Sequence, residues 1–162
     1  MQRFAQFSSC RKYRYVLERK WDNALPNVLF IGLNPSRADE NSDDPTIRRC
    51  INFAKTWGFG GFRIVNLFAF CSHDPQELFK AKDPVGVKND RILKKYISTE
   101  EDTILIWGNH GNFLKRNEKV LKLIKKPLCL KINKNGAPAH PLYLKSTLKP
   151  IPYIFENENS CK

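Results

Sequence analysis

The sequence predicts an α/β protein with a three-layer α/β/α arrangement, in which helices cover both faces of a mostly parallel, four-stranded central sheet. The first observation is the order of the elements, because apolar strand-like runs alternate along the chain with segments of helical periodicity. The second is that these runs are almost continuously apolar, as in strands buried on both faces. Strands that are joined through helices run parallel to one another, with right-handed crossovers.

Four apolar runs are the predicted strands of the sheet. Each contains at most one charged side chain, and they occupy residues 28–33, 62–68, 103–107 and 128–132. Residues 13–21 mix β-forming and charged side chains, which is typical of a strand with one exposed face. We therefore expect an additional edge strand there.

Three segments are predicted to be helices. Asp44 and Pro45 begin the first, because Asp caps a helix well and Pro suits the first helical position. The pair Asp83-Pro84 precedes the second helix, and residues 112–126 form a basic, amphipathic third. Each predicted helix follows a strand, as the α/β order requires.

Length and charge limit the class of protein. The 162 residues, 41% of them hydrophobic, suit one core, so we expect a single domain over residues 1–155 and a flexible polar tail at 156–162. The 28 basic and 16 acidic residues give a net charge of +12, which favours a polyanionic partner, and DNA is our expectation. The alternative is a basic surface that serves solubility alone.

Other features point to a cytoplasmic monomer without a cofactor. No apolar run approaches the ~20 residues of a membrane helix, and residues 1–9 lack an apolar signal core. The five cysteines are odd in number and have no CxxC spacing, which predicts neither a disulfide framework nor a zinc site. We expect no metal site.

Unusual polar residues follow the ends of the predicted strands. They are Asn34 and Ser36 after the first strand, Asn66 in the second, Asn109 and His110 after the third, and His140 beyond the fourth. Ligands of parallel sheets bind beyond the carboxyl ends of the strands. The sequence therefore predicts one site, assembled from four separate segments.

The motifs in these segments resemble those of the uracil-DNA glycosylase superfamily, in the same order, over residues 28–145. The four motifs are GLNPS at 32–36, FRIVNLF at 62–68, TILIWG at 103–108 and AHPLYL at 139–144. Leu142 and Tyr143 depart from the superfamily pattern, which has Ser and a second Pro there. The motifs LNPS, DDPTIRRC, NLF and HPLY also resemble a domain-of-unknown-function family of small proteins, which brings no activity with it.

The superfamily resemblance implies a glycosylase-like fold and a DNA glycosylase that removes a flipped base, in repair or in defence against modified foreign DNA. It assigns catalysis to Asn34, which would position the attacking water, and to His140, which would donate a hydrogen bond to the base carbonyl. Asn66 would pair with the Watson–Crick edge of the base. Further substrate-binding candidates are Ser36, Asp44, Arg48 and Phe68.

The same resemblance suggests substrate choice and the DNA contacts. Ser36 is small at a position where strictly uracil-selective members have Tyr, so we expect a 5-modified pyrimidine as the substrate. Leu144 stands where the superfamily places an apolar wedge that fills the gap left by a flipped nucleotide. The candidates for phosphate contacts are Lys145, Lys149 and Arg116.

Two other functions remain open at this level. The acidic residues Asp39, Glu40, Asp43 and Asp44 could hold Mg²⁺ in a metal-dependent nuclease or phosphohydrolase, although we favour a helix cap for Asp44 and loop solubility for the others. A non-catalytic binder of single-stranded nucleic acid would instead use aromatic stacking surfaces. Its candidates are Phe59, Phe62, Phe68 and Phe70.

Overall fold

A computed structural model describes residues 1–100 and 102–154, so the predicted tail at 156–162 lies outside the described residues. In this part of the chain seven strands form one sheet. They are β1 (Gln2–Phe7), β2 (Arg14–Lys20), β3 (Asn27–Gly32), β4 (Gly61–Asn66), β5 (Thr103–Leu105), β6 (Pro127–Cys129) and β7 (Ile151–Pro152). The α-helices of the same residues are α1 (Pro45–Thr56), α2 (Pro75–Lys80), α3 (Asn89–Thr99) and α4 (Arg116–Leu121).

The sheet is mixed, with strand order β1-β2-β4-β3-β5-β6-β7. The four predicted strands form its parallel centre, because β4, β3, β5 and β6 pair in parallel. The outer strands β1, β2 and β7 pair antiparallel. The prediction of a mostly parallel, four-stranded sheet is therefore wrong in strand number and composition, since three of the six pairings described are antiparallel.

The antiparallel strands explain the difference. β2 is not an edge strand, because β1 pairs along its outer side through six residues, with a shift of register between Gln6 and Phe7. β1 was not predicted because its side chains are exposed or half-buried, which leaves no apolar run to recognise. β7 is only two residues long and depends on its pairing with β6.

The three predicted helices occur in the predicted order, with two changes. The short helix α2 was not predicted, and the third predicted helix is not continuous. The carboxylate of Asp44 accepts a hydrogen bond from Ile47 N at 2.9 Å, which confirms the predicted cap of α1. The predicted helix over residues 112–126 is interrupted, because Leu114 and Lys115 adopt left-handed backbone conformations with φ of 52° and 55°. Only Arg116–Leu121 of that segment is α-helical.

Two apolar cores lie on opposite faces of the sheet. Successive side chains of a strand point to opposite faces, and in β3 Phe30 packs into the core that contains α1 residues such as Ile47. Its neighbour Ile31 packs into the second core, together with Leu93 of α3. The described helices therefore cover both faces, as three layers require. None of them is long and apolar enough to cross a membrane.

Candidate functional site

A cavity of about 380 Å³ opens at the carboxyl ends of the central parallel strands. This volume is within the range of about 300–1,000 Å³ that ligand pockets occupy. Seven of the predicted site residues line it, namely Asn34, Ser36, Asp44, Asn66, Asn109, His110 and His140. The chain thus brings together residues from segments that are up to about 100 positions apart in sequence, as the strand-end rule predicts.

Size alone does not distinguish this cavity, because other cavities on the described surface measure about 420 to 510 Å³. The distinction is chemical. Two of its lining side chains, Arg14 and Asn66, are almost fully buried and carry nitrogen atoms without a hydrogen-bond partner in the described chain. Buried donors are normally paired, so these two indicate a place where a ligand supplies acceptors.

Asn34 is held with one end of its amide fixed and the other end free. Its Nδ2 lies 3.0–3.2 Å from oxygen acceptors of Pro35, Phe70 and Ser72. Because these acceptors surround Nδ2, they fix the orientation of the amide. The Oδ1 atom of Asn34 accepts no hydrogen bond from the residues described. The geometry leaves Oδ1 available to accept a hydrogen bond from a water molecule or a substrate.

Asn66 occupies the floor of the cavity, where it is 2% exposed. It pairs in parallel register with Gly32 at the end of β3, and its side chain lies across that glycine. A Cβ atom at Gly32 would be 2.7 Å from Asn66 Oδ1, so a larger residue would displace the amide. Gly32 is therefore needed to seat Asn66 with its free Nδ2 at the cavity.

His140 lies at the mouth of the cavity with a defined tautomer. The backbone N–H of Leu142 donates to Nδ1 at 3.3 Å, so the hydrogen of the neutral ring is on Nε2. The residue as a whole is solvent-exposed, but protein atoms packed around the ring lower its pKa, an effect that the negative charge of Asp44 partly offsets. His140 is therefore a neutral hydrogen-bond donor at neutral pH.

Arg49 holds the loop that carries His140. From α1 its Nε donates to Pro141 O at 3.3 Å and its Nη2 to Leu144 O, and its guanidinium lies 4.9 Å from the centre of the Phe53 ring. A cation near the beginning of a helix is unfavourable, and the loop carbonyls account for its position here.

The loop exposes Tyr143 rather than Leu144. Tyr143 is 99% exposed with a left-handed backbone φ of 68°. Leu144 is half-buried and packs against the core on the α1 face. The predicted wedge residue is thus held in the protein, whereas its neighbour stands at the tip of the loop. Lys145 and Lys149, which follow it, are exposed as phosphate contacts require.

Three other predicted residues do not belong to the site. Arg116 is 4% exposed and donates to Leu67 O and Asp90, so it cannot grip a phosphate. Phe68 is fully buried in the core and does not line the cavity. Arg48 is exposed outside the cavity, with Nη1 donating to Asp43 O at 3.1 Å.

The acidic residues of the 39–44 segment are divided among separate partners. Asp39 accepts hydrogen bonds within its own turn, and Glu40 forms an ion pair with Arg11. Asp43 pairs with Arg3 and with the buried Arg19, whose charge helps to lower the pKa of that carboxyl although desolvation opposes it. Among the residues described, no group of His, Cys, Asp and Glu is arranged to hold a metal ion.

Sequence reasoning missed two charged or titratable residues that line the cavity, Arg14 and His73. Arg14 begins β2 and was assigned to a charged strand face, yet its side chain is 2% exposed. His73 joins the predicted His110 and His140, so all three histidines of the chain line this cavity. A possible signal was that the histidines all follow predicted strand ends. No comparable signal was available for Arg14.

The chain matches one protein family, whose description names no activity. Residues 14–142 match the family described as "Protein of unknown function (DUF1643)". The chain belongs to this family. The match begins at Arg14 and includes all of the cavity-lining residues, as well as Arg49. No curated protein and no solved structure matched the chain.

Proposed function

We propose that this member of the family is a monofunctional DNA glycosylase that hydrolyses the N-glycosidic bond of a flipped, 5-modified pyrimidine. The observation that carries the proposal is the meeting of three complementary groups in one cavity. They are the free Oδ1 of Asn34, the unpartnered Nδ2 of Asn66 and the Nε2–H of His140. The order of the motifs, which resembles the uracil-DNA glycosylase superfamily, agrees with these roles.

The reaction needs an acceptor for water and a donor for the departing base. Asn34 Oδ1 accepts a hydrogen bond from water, whose oxygen bonds to the sugar C1′ as the bond from C1′ to the base nitrogen breaks. The electron pair stays on the base, where His140 Nε2–H donates to a carbonyl oxygen as negative charge develops. The sugar keeps the hydroxyl of the water, and the water proton is transferred to the base. The DNA strand is left with an abasic site.

The surface around the cavity suits a DNA backbone. The net charge of +12 favours a polyanion, and the exposed Lys145 and Lys149 follow the His140 loop. Tyr143, at the tip of that loop, takes the gap-filling role first given to Leu144, because an exposed ring stacks on bases with about 1–3 kcal/mol each. We expect DNA affinity to fall steeply with salt.

The preference for a 5-modified base rests on Ser36. Its short side chain is half-buried and lines the cavity, as do Asp44 and Thr46. Phe70 and Tyr143, the aromatic residues that would otherwise close this space, are not among the lining residues. A Ser36→Tyr variant should lose the bulkier bases first, because a rigid ring overlaps with a substituent and rotation does not relieve the overlap.

The two other functions have less support in the structure. A nuclease built on the acidic segment needs carboxylates that converge, but these bind separate partners within the protein. A binder of single strands needs exposed rings, but Phe62 and Phe68 are fully buried. We therefore place catalysis in the cavity, with DNA as the partner of a monomer.

Base release is the direct test. The protein is incubated with DNAs that contain thymine, uracil, 5-hydroxymethyl pyrimidines or glycosylated 5-hydroxymethylcytosine, and free bases are measured by mass spectrometry. We expect release of a 5-modified pyrimidine in the presence of EDTA, with one abasic site formed per base released. Release of uracil alone would contradict the assigned substrate. Strand cleavage that requires Mg²⁺ without base release would contradict the glycosylase.

A further inference from the structure

Three arginines of the described chain have buried side chains, and one of them differs from the other two. Arg14, Arg19 and Arg116 are 2%, 0% and 4% exposed. Arg19 donates to the carboxylate of Asp43 at 2.9 Å, and Arg116 donates to Asp90 at 2.8 Å. Arg14 forms no ion pair with the residues described. A buried charge without a counter-ion is costly, so its retention indicates a partner from outside the chain.

The hydrogen bonds of Arg14 are also incomplete. Its Nη1 donates to Ala38 O at 3.0 Å, which is the one bond that the guanidinium makes in the described part of the molecule. Nε is buried and has no acceptor. Burial lowers the pKa of Arg14 to about 10, which still leaves the side chain protonated at neutral pH. It thus presents a full positive charge with an unused donor.

This charge lies at the proposed site. Arg14 is the one arginine or lysine among the residues that line the cavity. Asn66, whose Nδ2 also lacks an acceptor, lines the same cavity. Asp44 lines it as well and its charge acts on Arg14, but its carboxylate caps α1 and is not within ion-pair distance of the guanidinium. The cavity therefore has two buried donors without acceptors in the described chain, and one of them carries a positive charge.

We propose that Arg14 and Asn66 form an anion site that holds the departing pyrimidine as its ring anion. The inference rests on the proposed glycosylase function and adds a charged group to it. When the bond from C1′ to the base nitrogen breaks, the electron pair spreads from that nitrogen onto the carbonyl oxygens of the ring. Arg14 donates to one of these oxygens and supplies the full positive charge that the neutral His140 lacks. The site accordingly prefers ionised bases to neutral bases of the same size.

Free bases test the site without any catalysis. Calorimetry at neutral pH compares 5-nitrouracil, whose ring is ionised, with thymine, which is neutral and similar in size. A second pair, barbiturate and uracil, repeats the comparison with no substituent at position 5. We expect the wild-type protein to bind each anion at least about tenfold more tightly than its neutral partner, as charge-assisted hydrogen bonds predict.

Substitutions assign the preference to Arg14. Arg14→Met should bind the two members of each pair equally, and Arg14→Lys should retain part of the preference. Arg48→Met is the matched control, because Arg48 is exposed outside the cavity, and it should behave as wild type. If circular dichroism shows that Arg14→Met does not fold, Arg14→Gln replaces it, because an amide can still donate to Ala38 O.

Each outcome decides the proposal. Equal binding of anion and neutral base by the wild-type protein would overturn it, and so would an anion preference that survives removal of the Arg14 charge. If the preference is present and depends on Arg14, but no DNA substrate releases a base, the anion site stands and the glycosylase function fails. If a DNA substrate releases a base but the protein shows no anion preference, the glycosylase function stands and the anion site fails.

Discussion

The floor and the rim of the cavity are held in different ways. On the floor, Gly32 and Asn66 are paired residues of neighbouring parallel strands, so the sheet itself fixes their distance. On the rim, the His140 loop is irregular, and Arg49 ties it to α1 through contacts that span 92 and 95 residues. The positions of the floor residues therefore depend on the folding of the whole sheet, whereas the position of the rim loop depends on a few side chains. Rim variants should therefore lose activity without losing stability.

The largest effect is expected where the reacting groups themselves are removed. His140→Ala and Asn34→Ala should each lower base release by about 10²–10³-fold, which is the usual cost of losing one group that acts on the transition state. DNA affinity should stay near wild type, because neither side chain grips the backbone. Single-turnover release and DNA binding are measured on the same preparations. Full activity in either variant would remove that residue from the site.

The rim alone is tested through Arg49. Arg49→Ala removes both side-chain bonds to the loop, and we expect up to about 100-fold slower base release, since small displacements of a catalytic group have effects of this size. The melting temperature should change little. Arg48→Ala is the matched control on the same helix, because the side-chain hydrogen bond of Arg48 in the described part of the chain goes to Asp43 O of its own segment. Equal activity of the two variants would show that Arg49 does not position His140.

The same difference explains what the sequence could predict. The floor could be predicted from the sequence, because β3 and β4 are apolar runs that end at Gly32 and Asn66. Parallel strands end at one edge of the sheet, so these two residues were expected to lie close together. The cap of α1 was also predicted correctly, from the local signal of Asp44 and Pro45. These are features that neighbouring residues determine.

The features that were missed depend on distant contacts. Arg14 and Arg116 are both charged residues in the sequence, and only the tertiary structure shows that each is buried and which one has a carboxylate partner. The choice between Leu144 and Tyr143 as the exposed residue follows from the packing of the loop against α1. β1 and β7 gain their conformation from the strands beside them. No local pattern in the sequence contains this information.

The floor is tested through Gly32, where we expect a smaller effect of a different kind. In Gly32→Ala the new Cβ would lie 2.7 Å from Asn66 Oδ1, so the buried amide must move. We expect a loss of about 1–3 kcal/mol in the free energy of unfolding, which is typical of overpacking, together with weaker discrimination between bases. Urea denaturation and a release assay on two substrates measure both. A variant with unchanged stability would contradict the tight fit at the floor.

Asp44 lines the cavity and also caps α1, and the prediction here concerns its structural role as a helix cap. Asp44→Ala removes the side-chain acceptor for Ile47 N, and we expect a loss of about 1 kcal/mol of stability, the usual value for a helix cap. Asp44→Asn is the matched control, because an asparagine oxygen accepts the same bond. Urea denaturation should place it close to wild type. A stably folded Asp44→Ala variant without activity would instead move Asp44 into the catalytic group.

The smallest effect concerns the charge of Asp44 and appears as a displaced pH profile. Burial lowers the pKa of His140 below its ordinary value of 6.5, and the negative charge of Asp44 opposes that shift. Because the neutral ring is the active donor, base release should fall as pH decreases through the lowered pKa. Asp44→Asn keeps the cap but removes the charge, so the pKa of His140 decreases further and the fall in activity moves to lower pH. Profiles of kcat/KM against pH for the two proteins measure the displacement. A movement to higher pH would mean that the charge of Asp44 does not raise the pKa of His140. Activity that rises, rather than falls, as pH decreases through this range would mean that the protonated ring assists the reaction.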